Sequence, residues 1–245
     1  MKHFKIEPYW WDEHTKIYEN DSIDIKDGVT ILLGCNGSGK TTFIHQIKQC
    51  LKKDTIRDFS LLDDEEDEDR TVFVTEYDEL TGGRSHATEK FGFYGDFDRM
   101  CRNLSSSEGE NVSNNFGDYL GSVRPLIEKA RNKNAKEFWM FLDGVDSGVS
   151  IDMIRQQSSL FALIESDIRN SGMVPYIIVS SNQYESIGKY KDRCLDVINL
   201  KYVSINSYDE FVNYILYTSE LKDIRYEKAN EIKRKRRDDK ETETD

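Results

Sequence analysis

The sequence predicts an α/β domain built on a mainly parallel sheet. Three observations carry that prediction. A short apolar run, Val29 to Leu33, is bounded by Gly28 and Gly34, as a buried strand should be. Two further apolar runs, Glu137 to Leu142 and Val174 to Ser181, have the same character. Stretches with helical spacing stand between these runs, and no internal repeat competes with the alternation.

The elements follow in chain order. Residues 4–11 and 16–25 read as two strands, partly alternating in aromatic and β-branched side chains, which gives an antiparallel N-terminal portion. After the Val29–Leu33 strand, a helix begins near Lys40 and carries Ile44, Ile47 and Leu51 at spacings of three and four. Thr71 to Tyr77 is a strand. Residues 78–125, rich in Gly, Ser, Asn and Asp, read as a small irregular or helical insertion. Leu126 to Arg131 is helical, with Pro125 placed in its first turn. Ser150 caps a helix that runs to about Asn170 and is stopped by Gly172. Leu195 to Leu200 and Val203 to Ile205 are short strands. Ser207 and Glu210 have capping-box spacing, and the helix they open carries Phe211, Ile215, Leu216, Leu221 and Ile224. It ends in the basic run Lys233 to Arg237, followed by an acidic tail. The expected organisation is a core over 1–205 and a charged C-terminal helix and tail over 206–245.

Composition narrows the function. The chain has 245 residues and a formal charge of −12, with 12 Phe, 13 Tyr and 3 Trp to build a core. An acidic balance counts against a protein that coats nucleic acid, although it leaves room for a local basic patch. Seven of the twelve net charges fall in one run, Asp63 to Asp69, which reads as a solvated loop. Residues 225–245 are nearly neutral, so nucleic acid is a possible partner that the charge does not indicate. Cys35, Cys50, Cys101 and Cys194 are widely spaced and show no zinc or disulfide pattern. The histidines, His3, His14, His45 and His86, have no ligand spacing. No apolar run reaches the roughly 18 residues of a membrane span, and the N-terminus lacks the apolar segment of a signal peptide. A cytoplasmic protein with reduced thiols is expected.

The chemistry begins at Gly34-Cys35-Asn36-Gly37-Ser38-Gly39-Lys40-Thr41, which fits GxxxxGK[ST] between a buried strand and a helix. Glycines let backbone N–H groups turn inward around phosphate oxygens, and the following helix adds its positive end. Lys40 is placed to reach the terminal phosphates, and the Thr41 hydroxyl to enter a magnesium shell. Thr42 belongs with Gly34, Asn36, Gly37, Ser38, Gly39, Lys40 and Thr41 to the candidate nucleotide-binding residues. The string therefore predicts a P-loop NTPase core that binds a nucleotide with Mg2+.

The longer string GCNGSGKTT resembles the GxNGSGK[ST]T form of ATP-binding-cassette ATPases, a class that includes transporter motors, chromosome-maintenance proteins and break-repair ATPases. That resemblance gives meaning to further segments. Leu104 to Glu110, LSSSEGE, is similar to the LSGGQ or LSGGE signature. The register over Ser106 to Glu110 keeps Ser107, Gly109 and an acid; the register over Leu104 to Glu108 keeps the leucine and lacks the glycine. The first is preferred. The resemblance implies that Ser107 and Gly109 contact the γ-phosphate held by an opposite subunit, making a homodimer with ATP sandwiched between the chains. Phe138 to Asp143 resembles a Walker B strand, which implies that Asp143 holds the magnesium ion through water.

The pattern also breaks. The residue after the Walker B acid is normally the glutamate that polarises attacking water, and here it is Gly144. Ser147 to Ser150 is similar to the dimer-contacting D-loop, and Asp146 is the first candidate for a substitute base. The switch position after Ile177 to Ser181 holds Asn182, with Gln183 next, in place of the usual histidine. The Q-loop glutamine is missing, with Glu76 and Asp78 as weak stand-ins. Tyr9, Trp10, Trp11 and Tyr18 lie where an adenine platform is often found, although a core or surface role for any one of them is favoured. Too few residues separate Lys40 from Ser106 for a long coiled-coil arm.

The expected protein is thus a compact cassette-type ATPase and switch, with slow or partner-dependent hydrolysis and a separate protein effector. By resemblance, such proteins occur in DNA repair, phage or defence settings. Two alternatives are a motor subunit of a membrane transporter and a nucleotide-binding structural module that does not hydrolyse.

Overall fold

Side chains of the Gly28–Leu33 strand alternate between two cores. Val29, Ile31 and Leu33 enter one, Leu32 enters the other, and all six residues are buried. A strand covered on both faces is the mark of a central position in a parallel sheet. In the computed structural model, residues 1–7, 17–56, 70–78, 108–146 and 149–242 are described.

The strands are β1 (Lys2–Lys5), β2 (Ser22–Ile25), β3 (Gly28–Leu33), β4 (Val72–Asp78), β5 (Glu137–Asp143), β6 (Val174–Ser180), β7 (Cys194–Asp196) and β8 (Lys201–Val203). The α-helices are α1 (Lys40–Leu51), α2 (Glu108–Asn132), α3 (Ile151–Asn170) and α4 (Tyr208–Thr242). β1 and β2 form an antiparallel pair, as expected of the N-terminal portion. The other six make one sheet in the order β4-β5-β6-β3-β7-β8, parallel throughout except for β7 against β8. The fold is α/β, with a mainly parallel six-stranded sheet and an antiparallel N-terminal pair, as the sequence predicts.

One face carries α1 through Phe43, Ile44, Ile47 and Leu51, together with Phe4, Ile23 and Ile25 of the antiparallel pair. Trp139 lies at its centre, stacked on Tyr176 at 4.1 Å between ring centroids and edge-on to Phe4 at 5.5 Å. Each such pair adds about 0.5–1.5 kcal/mol beyond its buried area. The other face carries α2 and α3 through Phe116, Val123, Ile127, Phe161 and Ile168, and the start of α4 through Phe211.

The structure corrects the sequence reading at α2. The helix begins at Glu108 and has 25 residues, so Pro125 stands inside it rather than in a first turn. An interior proline costs about 3 kcal/mol. Phe116, Val123 and Ile127 are buried at helical spacing, and each contributes about 1.5–3 kcal/mol, so burial outweighs the proline. β7 is shorter than the expected Leu195 to Leu200 because Asp196 accepts the Ile198 and Asn199 N–H groups and turns the chain, and β8 lies two residues before the expected Val203 to Ile205. Ser207 caps the helix, with Glu210 N–H donating to Ser207 Oγ at 3.1 Å, while the Glu210 carboxylate takes the Asn206 N–H at 2.7 Å, one residue before the N–H that the expected capping box uses. The helix it opens continues through the basic run.

This topology positions the site. In a parallel sheet the carboxyl ends of the strands share one edge. The loop after β3, Asp143 at the end of β5 and Ser181 after β6 meet there, with β6 lying between β3 and β5.

Candidate functional site

The phosphate-loop motif occupies the turn from β3 into α1. Gly39 caps α1 with φ 101° and ψ 16°, a left-handed conformation. The backbone favours glycine there, and a Cβ would also crowd Ile17 Cγ2 at 3.0 Å. Gly34 and Gly37 also have positive φ. Tyr18 OH donates to the Gly39 carbonyl at 3.2 Å from behind the loop. Tyr18 is fully buried and edge-on to Phe43, so this candidate platform is a core residue. Burial pushes its phenol well above the usual range. Tyr9, Trp10 and Trp11 lie outside the described residues.

The α1 N-terminus has neither a side-chain cap nor an acidic residue in its first turn. No residue of the helix itself therefore neutralises the N–H groups and positive dipole end from Lys40 through Thr42. Asn36 and Gly37 are exposed at the loop apex. Ser38 Oγ is buried without a hydrogen-bond partner among the described residues.

Lys40 is 7% exposed, and its ammonium bends back onto its own loop. It donates to the Gly34 carbonyl at 2.7 Å and to the Cys35 carbonyl at 3.2 Å. Burial lowers its pKa below the ordinary 10.5, while Cys35, Asp146 and Asp143 pull the other way. A phosphate anion would favour the charged form. Between the lowered pKa of the free protein and the higher one of the bound protein, binding must take up a proton. Phosphate affinity should therefore fall as pH rises through the alkaline range below 10.5. Lys40→Arg, which stays charged there, should flatten that dependence in a calorimetric pH series.

Thr41 Oγ1 donates to Asp143 Oδ2 at 2.7 Å, which joins the two residues read as magnesium ligands. A neutral hydroxyl and a carboxylate suit a hard cation that takes few protein ligands and completes its shell with water and phosphate. These two residues would hold the ion. Among the described residues no cluster of three or more His, Cys, Asp or Glu offers another metal site.

Asp146 is 1% exposed, and one oxygen carries three bonds. Its Oδ2 accepts from Ser181 Oγ at 2.5 Å, Asn182 N–H at 2.6 Å and Gln183 N–H at 2.9 Å. Gln183 Nε2 also donates to the Asp146 carbonyl at 3.2 Å. Asp146 Oδ1 is buried without a partner among the described residues. Asp146 and Asn182, the candidates for base and switch, are thus in direct contact through the Asn182 backbone, and the Asn182 side chain is exposed. Gly144 has φ 71°, so the position of the usual glutamate is left-handed. A side chain there would cost roughly 1–2 kcal/mol.

Of the remaining expected residues, Gly109 lies in the first turn of α2, and Ser107 lies outside the described residues. Glu76 is ion-paired with Lys48 of α1, and Asp78 sits opposite Asp143 in the β4–β5 register. The acidic run Asp63 to Asp69 lies outside the described residues. Cys35 and Cys194 are buried free thiols and Cys50 an exposed one. In the basic run Lys235 is ion-paired with Glu231 at 2.7 Å.

Sequence reasoning missed Ser181, Thr218, Lys222 and Arg225 around this site. The last three lie on one stripe of α4 at spacings of four and three, but nothing in that spacing points to the distant segments they touch. Ser181 carries no signal beyond following a buried strand.

No protein-family model and no curated protein matches this chain. Among solved structures, it is similar to a nucleotide-free ATP-binding cassette from an ABC transporter, at 15% identity and a TM-score of 0.41. The alignment covers 87% of this chain and 92% of the other. At that distance the likeness decides neither ligand nor partner. Among the described residues, no helix is long and apolar enough to cross a membrane.

Proposed function

We propose that this chain is an ATP-binding P-loop ATPase of cassette type that works as a switch. ATP and Mg2+ bind at Gly34 to Thr42 and Asp143. The observation that carries the reading is the Thr41–Asp143 pair at 2.7 Å beside a buried Lys40, at the uncapped start of α1. A loop of this shape places an anion against N–H groups and an ammonium, with oxygen ligands for a cation alongside.

In this reading Ser107 and Gly109 of a second copy close on the γ-phosphate, and the ATP sandwich holds a head-to-tail homodimer. Hydrolysis is slow or partner-dependent. General-base help is commonly worth 10²–10⁴-fold, and left-handed Gly144 supplies none. Asp146 is the proposed substitute: Oδ2 anchors the loop after β6, and Oδ1, buried without a partner among the described residues, must be uncovered before it can take a proton from water. Asn182 would contact the terminal phosphate or its water with an amide, without the charge of a histidine. The effector is a separate protein, and the DNA-repair, phage or defence setting belongs to that proposal.

Solution mass and phosphate release test it together. Mg-ATP should shift the native chain from monomer to dimer, and Asp143→Ala should not shift. Turnover should be slow, and abolished in Asp143→Ala. A native chain that binds ATP and stays monomeric sinks the sandwich. Binding and dimerisation with no turnover leaves a non-hydrolysing module in its place.

A further inference from the structure

The C-terminal helix touches the phosphate loop, and nothing in the proposed nucleotide chemistry uses it. Thr218 of α4 is fully buried. Its Oγ1 accepts the Cys35 N–H at 3.0 Å and donates to the Ile215 carbonyl at 2.8 Å. One turn on, Lys222 Nζ donates to the Asn36 carbonyl at 3.2 Å, and its stem passes Gly37, where a Cβ would lie 3.6 Å from Lys222 Cδ. Arg225 donates to the Ile17 carbonyl and pairs with Glu19 at 2.6 Å. Ile17 in turn backs Gly39. One stripe of α4 thereby grips the loop apex and the segment that supports its far end. The helix reaches there because Phe211 is anchored in one core and Leu221 packs on the other.

We propose that α4 is a clamp that holds the phosphate loop in its binding shape, so that docking of this helix and nucleotide binding are coupled. Thr218 is the positioning residue. Its hydroxyl is the acceptor for a buried loop N–H, and without it that N–H must turn towards another acceptor and distort the loop. Coupling of this kind is reciprocal, so nucleotide should tighten α4 as much as α4 tightens nucleotide. The inference rests on the nucleotide-binding reading above.

The test uses the full chain with Thr218→Val, which keeps the shape and removes the acceptor, and Thr218→Ser, which restores it. Thr218→Val should bind Mg-ATP about tenfold more weakly, and Thr218→Ser within about threefold of native. Hydrogen exchange of α4 amides near Thr218 to Arg225 should slow when Mg-ATP binds the native chain. If Thr218→Val does not fold, Lys222→Met carries the same comparison from a partly exposed position. The coupling is overturned if affinity is unchanged and only the melting temperature falls, if Ser is as weak as Val, or if α4 exchange ignores ATP. A native chain that binds no Mg-ATP overturns the nucleotide reading itself, and this inference with it. A chain that binds ATP while α4 exchange stays constant overturns the clamp alone.

Discussion

Lys40→Ala is expected to weaken Mg-ATP binding by about 10²-fold or more while leaving the fold in place. Charge-assisted hydrogen bonds contribute about 1.5–3 kcal/mol each, and a triphosphate would take over the two that Lys40 now makes to the Gly34 and Cys35 carbonyls. The same exchange explains why stability should change little. Burial already lowers the pKa of this ammonium, so removing it also removes a desolvated charge. Titration calorimetry gives the affinity and a thermal melt gives the stability. Binding within about threefold of native would mean that the lysine does not face the ligand.

Asp146→Ala is expected to be the most destabilising change at the site. It strands the Ser181 hydroxyl and the Asn182 and Gln183 N–H groups, all three bonded to one carboxylate oxygen. Leaving such donors unpaired costs about 3 kcal/mol or more in total. In a chain of this size that lowers the melting temperature by roughly 6–12 °C. Loss of activity in this variant would therefore not identify a base. Asp146→Asn separates the roles, because its amide oxygen still accepts while its proton affinity is gone. Asn should melt closer to native than Ala and yet lose phosphate release. If Ala melts like native, Asp146 is no anchor; if Asn hydrolyses at the native rate, Asp146 is no base.

The fold was legible because its signals are local. Val29 to Leu33 is apolar on both faces and glycine-bounded, and α1 shows its buried stripe at Ile44, Ile47 and Leu51. The phosphate loop was legible for the same reason, since one contiguous string contains the glycines, the lysine and the hydroxyls. What the sequence hid is long-range. Thr41 and Asp143 are 102 positions apart, and only the sheet order puts them in contact. Asp146 could be picked out as an acid near the motif, but its load came into view only when β6 placed Ser181, Asn182 and Gln183 against it. Pro125 misled because a local rule about first turns was applied where Phe116, Val123 and Ile127 bury a longer helix. Thr218 was least legible, since a threonine inside a helix announces nothing until its partner 183 residues away is known.

The most direct test of the account is calorimetric titration of the native chain with ATP, with and without Mg2+, beside Asp143→Ala. Binding should tighten with Mg2+ in the native chain and ignore Mg2+ in Asp143→Ala. Absence of binding in the native chain, or identical affinities with and without Mg2+, would contradict it.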